Sequence, residues 1–382
     1  MSATARLVAD YNSERARQLP YLDHRCLYLA ALLDIQLDTF LHRSSHRQLL
    51  LLLIVLSVQS HLFTHHLNMH LPPLDVAVYP VVPLSYGGHG GSHAHHPSRP
   101  ANHHGPTAPD FSSIQKAIQR IFRSSRITIH QVERIRGRLH QVYLTRLADG
   151  NTLVLKCPPD QSTRALRHEK HGLETERKTL ETLHEFTQLS VPKVLKYDSH
   201  GGSLGSPFLL TSYICGRTLP EISRYLSASQ RDIIQRTLGA YVRTLTALSA
   251  SQFGTTERVF AKKGSKSWRE AFLKLLESAL RDSEDMLVTL PYDSIRYYVG
   301  QRYGHFLDEV TEPRLVALGV CEPQNVLINE HTKEVAGLVG FSDVIWGDPL
   351  MSGGIAGGSD AFFEGYGERP LQSAGVQARL LM

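Results

Sequence analysis

The sequence predicts an α+β protein in two lobes, a small β-rich lobe followed by a larger helical one, behind a poorly ordered N-terminal extension. Three observations carry that reading. Strand-forming runs separated by turn residues cluster between 127 and 156. Apolar stripes at helical spacing dominate from 229 to 310. Late in the chain, two short apolar runs, 326–328 and 335–341, flank the polar turn Asn329-Glu330-His331-Thr332-Lys333, which is a β-hairpin pattern.

A chain of 382 residues suits two domains or one two-lobed domain, and 42% hydrophobic with 20% charged residues is ordinary for a globular protein. The net charge of +5 is modest and no Lys/Arg-rich run occurs, so nucleic acid is not an expected partner. Cys26, Cys157, Cys215 and Cys321 lie far apart without a CxxC pair. A reduced, cytoplasmic protein without a disulfide framework or structural zinc is expected.

Residues 1–110 stand apart. They hold no lysine but 13 of the 21 histidines, and seven arginines balance seven acidic residues, so the +5 belongs to 111–382. An apolar-rich helix is expected over 21–41. The most hydrophobic run, 49–56, ends at Ser57 with Gln59 and His61 close behind. A membrane span needs roughly 20 apolar residues, and a secretory signal would lie nearer the N-terminus. A buried or poorly ordered helix is therefore expected, and no membrane partner. His61, His65, His66 and His70 make i,i+4 pairs of metal-capable geometry. His89, His93, His95, His96, His103 and His104 lie among Gly, Ser and Pro, a composition that builds no core. A low-complexity, disordered segment is the expected state of the whole extension.

Order resumes near Phe111, where Ile114, Ala117, Ile118, Ile121 and Phe122 have helical spacing. Strands are predicted over 127–135, 141–147 and 152–156. The first turn holds Arg136-Gly137-Arg138 and the second Ala148-Asp149-Gly150-Asn151, a hairpin signal. Gly137 would let the backbone approach a phosphate, although any turn can use a glycine. Lys156 ends the buried-looking run Leu153-Val154-Leu155, and a buried lysine requires a partner. In the helix predicted over 164–186, Glu176 shares the face of Leu173 and Leu180 and can supply one. The other reading of the pair is a snorkelling lysine and an exposed glutamate. A core strand is predicted over 208–214. Helices follow over 229–248, with Ile233, Ile234, Leu238, Tyr241, Val242 and Leu245 on a stripe, and over 267–288 and 292–310. Trp268 is read as a packing anchor.

The segments LADGNTLVLKCPPD, LRHEKHGLETERKTLETL, VPKVLKYDSHGGSLGSPFLLTSYICGRTL and AFFEGY, with the stretch from Glu312 to Pro349, carry a family likeness. Over roughly 125–370 the chain resembles the aminoglycoside phosphotransferase family, particularly its fungal members. The resemblance implies a two-lobed protein-kinase-like fold, with 111–215 as the N-lobe and 216–382 as a helical C-lobe with a degenerate catalytic loop. The family loop HGDxxxxN falls on 318–325: Asn325 matches the asparagine, whereas Leu318 and Val320 replace the histidine and the catalytic aspartate. In the following I-D-F/W motif Phe341 matches and Gly340 replaces the metal-binding aspartate. Gly347-Asp348-Pro349 matches the closing turn. Implied further are Gly137 over the phosphates, Lys156 with Glu176 positioning them, and Ser212 and Tyr213 on the strand entering the adenine-binding hinge. Cofactors would be ATP and Mg2+ if binding is retained, and partners a nucleotide and an unknown small molecule or protein.

Phosphoryl transfer is mostly positioning and charge stabilisation, with one carboxylate orienting the attacking hydroxyl and another holding magnesium. Valine accepts no proton and glycine binds no metal through a side chain. Loss of a general base alone costs about 10²–10⁴ in rate. A pseudokinase is the expected outcome. The alternative is an active phosphotransferase with relocated carboxylates: Glu322, two residues after Val320, and Asp343, three after Gly340, with Asn325 and Asp343 as the metal ligands. Asp343 could also simply cap the following turn. Restoring both aspartates, at Val320 and Gly340, should raise activity if the rest of the site is intact.

Overall fold

The computed structural model describes residues 109–382 other than 161, 162, 164, 371 and 372. The readings of the extension, including the 21–41 helix, the 49–56 run and the histidine pairs, lie outside the described residues. The described residues divide into two compact units, one of 109–290 with 301–380, the other of 291–300 with the last two residues.

Helix α1, Phe111–Ile121, starts at Asp110, whose carboxylate accepts from the Ser113 N–H at 2.6 Å; that hydrogen bond holds the Asp110 carboxyl below its ordinary range. Ile114, Ala117 and Ile118 pack with Ile129, Tyr143, Leu155 and Phe208 in the core of the smaller lobe. The sheet there comprises β1 Ile129–Ile135, β2 Gln141–Leu147, β3 Thr152–Cys157, β4 Val194–Asp198 and β5 Phe208–Ser212. Its order is β1-β2-β3-β5-β4 and every pairing is antiparallel. Lys156 lies in register between Val142 and Leu209, so its place in the sheet is central. Strand β4, half-buried along its length, shows no clean alternation and gives sequence reasoning little to read.

The helix expected from 164 begins later. A 3₁₀ turn, Arg167–His171, leads into α2, Gly172–Phe186. The turn is held from outside: Asp282 Oδ2 accepts the Arg167 N–H at 2.9 Å, and the guanidinium pairs with Asp282 and Asp285 at 2.5 and 2.7 Å. Leu180 and Leu183 of α2 belong to the core of the larger lobe, which makes α2 the bridge between the two cores.

The larger lobe begins with β6 Arg217–Thr218, α3 Leu219–Ile222 and α4 Ala228–Ala247. Ser227 and Gln230 form a capping box at the start of α4, and Ile234, Leu238, Val242 and Leu245 are its buried stripe. Strand β7 Gly254–Thr255 and helices α5 Thr256–Phe260 and α6 Trp268–Asp285 follow. Trp268 is buried with its ring centroid 5.9 Å from Phe253 and 5.6 Å from Phe272, so it anchors packing.

In place of one helix over 292–310, α7 spans only Tyr292–Tyr297, then a π-helical turn, Tyr298–Arg302, and a 3₁₀ stretch, Gly304–Glu309. Gly300 and Gly304 lower helix propensity where the pattern breaks. Helix α7 belongs to the second unit.

The first unit continues with β8 Arg314–Ala317, β9 Val326–Ile328, β10 Val335–Leu338 and β11 Val344–Gly347, then α8 Asp360–Tyr366 and α9 Ala374–Leu381. Two small sheets result, ordered β10-β9-β6 and β7-β11-β8. The strand expected over 335–341 stops at Leu338 because the chain turns at Gly340, where φ is +85°. Strand β11 is buried throughout, so it carries no period-2 signal. In the turn after it, Asp348 accepts the Leu350 N–H at 3.0 Å and pairs with Arg379 Nε at 2.9 Å; burial keeps its carboxyl above the ordinary range. Among the described residues no helix is long and apolar enough to cross a membrane.

Candidate functional site

Both lobes contribute to one site. Its floor is the loop between β8 and β9. Val320 is only 1% exposed and sits among the core side chains of the larger lobe. Asn325 ends the loop in a 3₁₀ turn, Pro323–Asn325, and its Nδ2 donates to Gly319 O at 2.8 Å while its backbone carbonyl accepts from the Val339 N–H at 2.9 Å. The second contact ties the loop to the end of β10.

Gly340 lies beside that asparagine. Its φ of +85° is a left-handed conformation that suits glycine. A Cβ built on Gly340 would lie 2.5 Å from both Cγ and Nδ2 of Asn325. The space a side chain at 340 would enter is filled by the Asn325 amide. Glu322 is exposed, and a Cβ on Gly319 would be 3.5 Å from its Cδ and Oε1. Burial pushes the neighbouring Cys321 thiol up to about 12, which rules out a thiolate nucleophile there at neutral pH.

The roof is the β1–β2 loop, Arg136 to His140. It folds so tightly that a Cβ on Gly137 would fall 2.3 Å from the His140 carbonyl oxygen. The glycine is thus required by the loop's own backbone. Beneath the loop, Lys156 Nζ meets Glu176 Oε1 at 2.5 Å, and Glu176 is 1% exposed. Glu176 Oε2 is buried and has no hydrogen-bond partner among the described residues. The His140 imidazole lies over the first turn of α2, its Cε1 2.7 Å from where a Gly172 Cβ would stand. Burial is the main force that drives the His140 pKa down to about 4; Glu176 opposes that, and Lys156 and Arg138 add to it.

A charge cluster joins roof to floor. Arg138 Nη2 is 3.8 Å from Asp343 Oδ2 and 3.5 Å from Glu169 Oε1, and His168 Nε2 is 3.7 Å from the same Asp343 oxygen. Burial penalises the His168 imidazolium, but the nearby Asp343 carboxylate outweighs it and raises its pKa. Burial likewise penalises the Asp343 carboxylate, but His168 and Arg138 outweigh it and hold the carboxyl below its ordinary range. Asp343 therefore faces the Arg138 guanidinium and the His168 imidazole, rather than capping a turn by itself.

At the back of the site, Ser212 ends β5. Its N–H donates to Lys193 O at 2.9 Å and its Oγ accepts the Lys193 N–H at 2.8 Å, so the hydroxyl secures the sheet edge. Tyr213 follows with its side chain 38% exposed. Of the residues singled out from sequence, Lys156 and Glu176 meet directly, Asn325 and Gly340 are in contact, and Asp343 joins the loop that holds Gly137. Sequence reasoning missed Arg138, His140, His168 and Glu169. Their one signal was position, since two follow Gly137 in its loop and two precede α2.

Magnesium takes near-octahedral oxygen ligands at about 2.0–2.1 Å, usually one or two carboxylates among them. Gly340 has no side chain, Asn325, its Nδ2 bonded to Gly319 O, offers one neutral amide oxygen, and Asp343, the remaining carboxylate, has Arg138 and His168 within 4 Å. Among the described residues no cluster of three or more His, Cys, Asp or Glu could hold a metal. These residues do not fit the ion. Cationic groups that suit phosphate oxygens are present instead in Lys156, Arg138 and His168.

A model of the phosphotransferase enzyme family matches residues 131–378. The chain is similar to the macrolide 2'-phosphotransferase MphH apoenzyme of Brachybacterium faecium at 16% identity, over 70% of this chain and 87% of that one, with a TM-score of 0.43. It is similar to the streptomycin-ATP-APH(2")-IIa ternary complex at 15% identity, over 71% of this chain and 87% of that one, with a TM-score of 0.46. No curated protein matches the chain.

Proposed function

The chain belongs to the phosphotransferase enzyme family, with a kinase-like α+β fold, and on that premise we propose that it is a catalytically impaired pseudokinase that still holds a nucleotide. The reading rests above all on the floor of the site: Val320 is sealed in the core, and the Asn325 amide fills the space beside Gly340. Neither position offers the carboxylate that phosphoryl transfer uses to orient a hydroxyl or hold a metal.

Nucleotide retention is supported by the roof. Glu176 presents the Lys156 ammonium from the centre of the sheet, where it can meet phosphate oxygens. The segment at Ser212 and Tyr213 would receive the base. ATP is the expected nucleotide, with a small-molecule hydroxyl or a protein as the second partner, and the cytoplasm is the expected location, a reading the scattered cysteines support. The test uses the full chain: ATP binding by calorimetry, beside phosphate release from ATP. Binding without turnover is expected; turnover well above background would overturn the reading.

The alternative, an active ATP-dependent phosphotransferase acting on a small-molecule hydroxyl through Glu322 and Asp343, is supported by one contact. The Glu322 carboxylate lies over Gly319, whose carbonyl also holds Asn325. That reading requires turnover that disappears in Glu322→Gln.

A further inference from the structure

Three observations bear on how an anion would sit in this cleft. The Arg138 guanidinium, on the loop that roofs the site, and the His168 imidazole, on the turn before α2, converge on a single Asp343 oxygen at 3.8 and 3.7 Å. Glu169, the other carboxylate near Arg138, is partly committed elsewhere, since its Oε2 accepts the Leu166 N–H at 2.9 Å. At the place where the family carries a metal-holding carboxylate, the Asn325 amide meets Gly340.

We propose that Arg138 and His168 take over the work of the divalent cation, forming with Lys156 a metal-independent site for the polyphosphate of a nucleotide, and that Asp343 is the internal anion this polyphosphate displaces. The inference rests on the nucleotide-binding reading above and states how that binding is achieved. Arg138 also has Glu169 Oε1 at 3.5 Å, but contacts of 3.5 to 3.8 Å hold a side chain weakly, whereas a polyphosphate offers several charged oxygens. Arginine is suited to that exchange because its planar fork can engage two phosphate oxygens at once. A magnesium ion brought to Asp343 would meet the Arg138 guanidinium within a few ångströms, where like-charge repulsion opposes it, and the His168 imidazole beside it. Side chains of the protein thus supply the charge compensation that the ion provides elsewhere in the family.

The role of Asp343 separates this inference from a surviving metal site by sign. If Asp343 competes with the ligand, its removal strengthens nucleotide binding; if it binds the ion, its removal weakens it. The experiment is calorimetric titration of ATP into the full-length protein, with excess EDTA and again with excess Mg2+. It is repeated on Asp343→Asn, Arg138→Gln and His168→Gln, each checked by a thermal melt. Expected are dissociation constants within about twofold in EDTA and Mg2+ for the unmodified chain. Asp343→Asn should bind several-fold more tightly in EDTA, and Arg138→Gln about tenfold more weakly. His168→Gln should weaken binding by a smaller factor. Binding at least tenfold tighter with Mg2+, or weakened by Asp343→Asn, would overturn the inference while leaving the nucleotide reading intact. No binding in either buffer would overturn the nucleotide reading itself. Because Asp343→Asn is expected to gain affinity, misfolding of a variant cannot imitate the result.

Discussion

The amide of Asn325 stands where a side chain on Gly340 would begin, 2.5 Å from the position of its Cβ. This contact joins a residue that keeps the family pattern, Asn325, to one that departs from it, Gly340. The loss at 340 is not a vacancy awaiting an aspartate, because the neighbouring asparagine, bonded to Gly319 O, has taken the space.

Gly340→Ala should destabilise the protein by about 2–4 kcal/mol, from a left-handed φ combined with displacement of the amide. In an Asn325→Gly background the steric part should disappear, so the two costs should fall short of additive. A urea-denaturation double-mutant cycle measures this. Strictly additive costs would mean that the two residues do not press on one another.

Restoring both aspartates is the change the sequence recommends, and the geometry opposes it. Val320→Asp places a carboxylate among apolar core side chains, at a cost of about 3 kcal/mol or more. Burial would raise the folded pKa of that new carboxyl above its unfolded value. The variant's deficit should therefore be smallest at acid pH and grow as pH rises through the ordinary carboxylate range. Melts of the single and double variants at pH 4 and pH 7, beside phosphate release from ATP, should show lost stability and no gain in turnover.

The parts of the site legible in the sequence were those with a local signal. Lys156 was visible because a charge ended an apolar strand, and Glu176 because it shared a face with Leu173 and Leu180. Both replaced aspartates were visible only through the resemblance to the family motifs. The charge cluster was not, because Arg138, His168 and Asp343 come from three distant segments that only the tertiary fold brings together. Nor could spacing show which way Val320 points, or that Asn325 covers Gly340. In the fold, patterned strands and long amphipathic helices were readable, whereas fully buried β11 and the broken segment after Tyr297 had no clear period.

Breaking the Lys156–Glu176 pair from one side should be costly. Glu176→Ala leaves a mostly buried ammonium without its partner, and a loss of about 2–4 kcal/mol is expected in urea denaturation. The joint change Lys156→Met with Glu176→Leu should recover much of that stability while abolishing nucleotide binding. A double variant as unstable as Glu176→Ala would show that the pair contributes through more than its charges.

The pH dependence of stability should carry the mark of His140. Its folded pKa lies near 4, below the ordinary 6.5, because burial, helped by Lys156 and Arg138, disfavours the imidazolium. The unfolded chain therefore binds a proton there before the folded protein does, and His140 lowers stability as pH falls from about 6.5 towards 4. Between pH 7.5 and pH 5 this amounts to about 1–2 kcal/mol. His168 acts in the opposite sense: its raised pKa contributes stability that is full below its unfolded value and is lost as pH rises through the folded one. The unmodified chain alone would thus mix the two. The difference between it and His140→Gln isolates the first, and the variant should lose less stability on acidification by that amount. Parallel stability–pH curves for the two proteins would mean that the His140 ring is not held neutral between Gly172 and the Lys156–Glu176 pair.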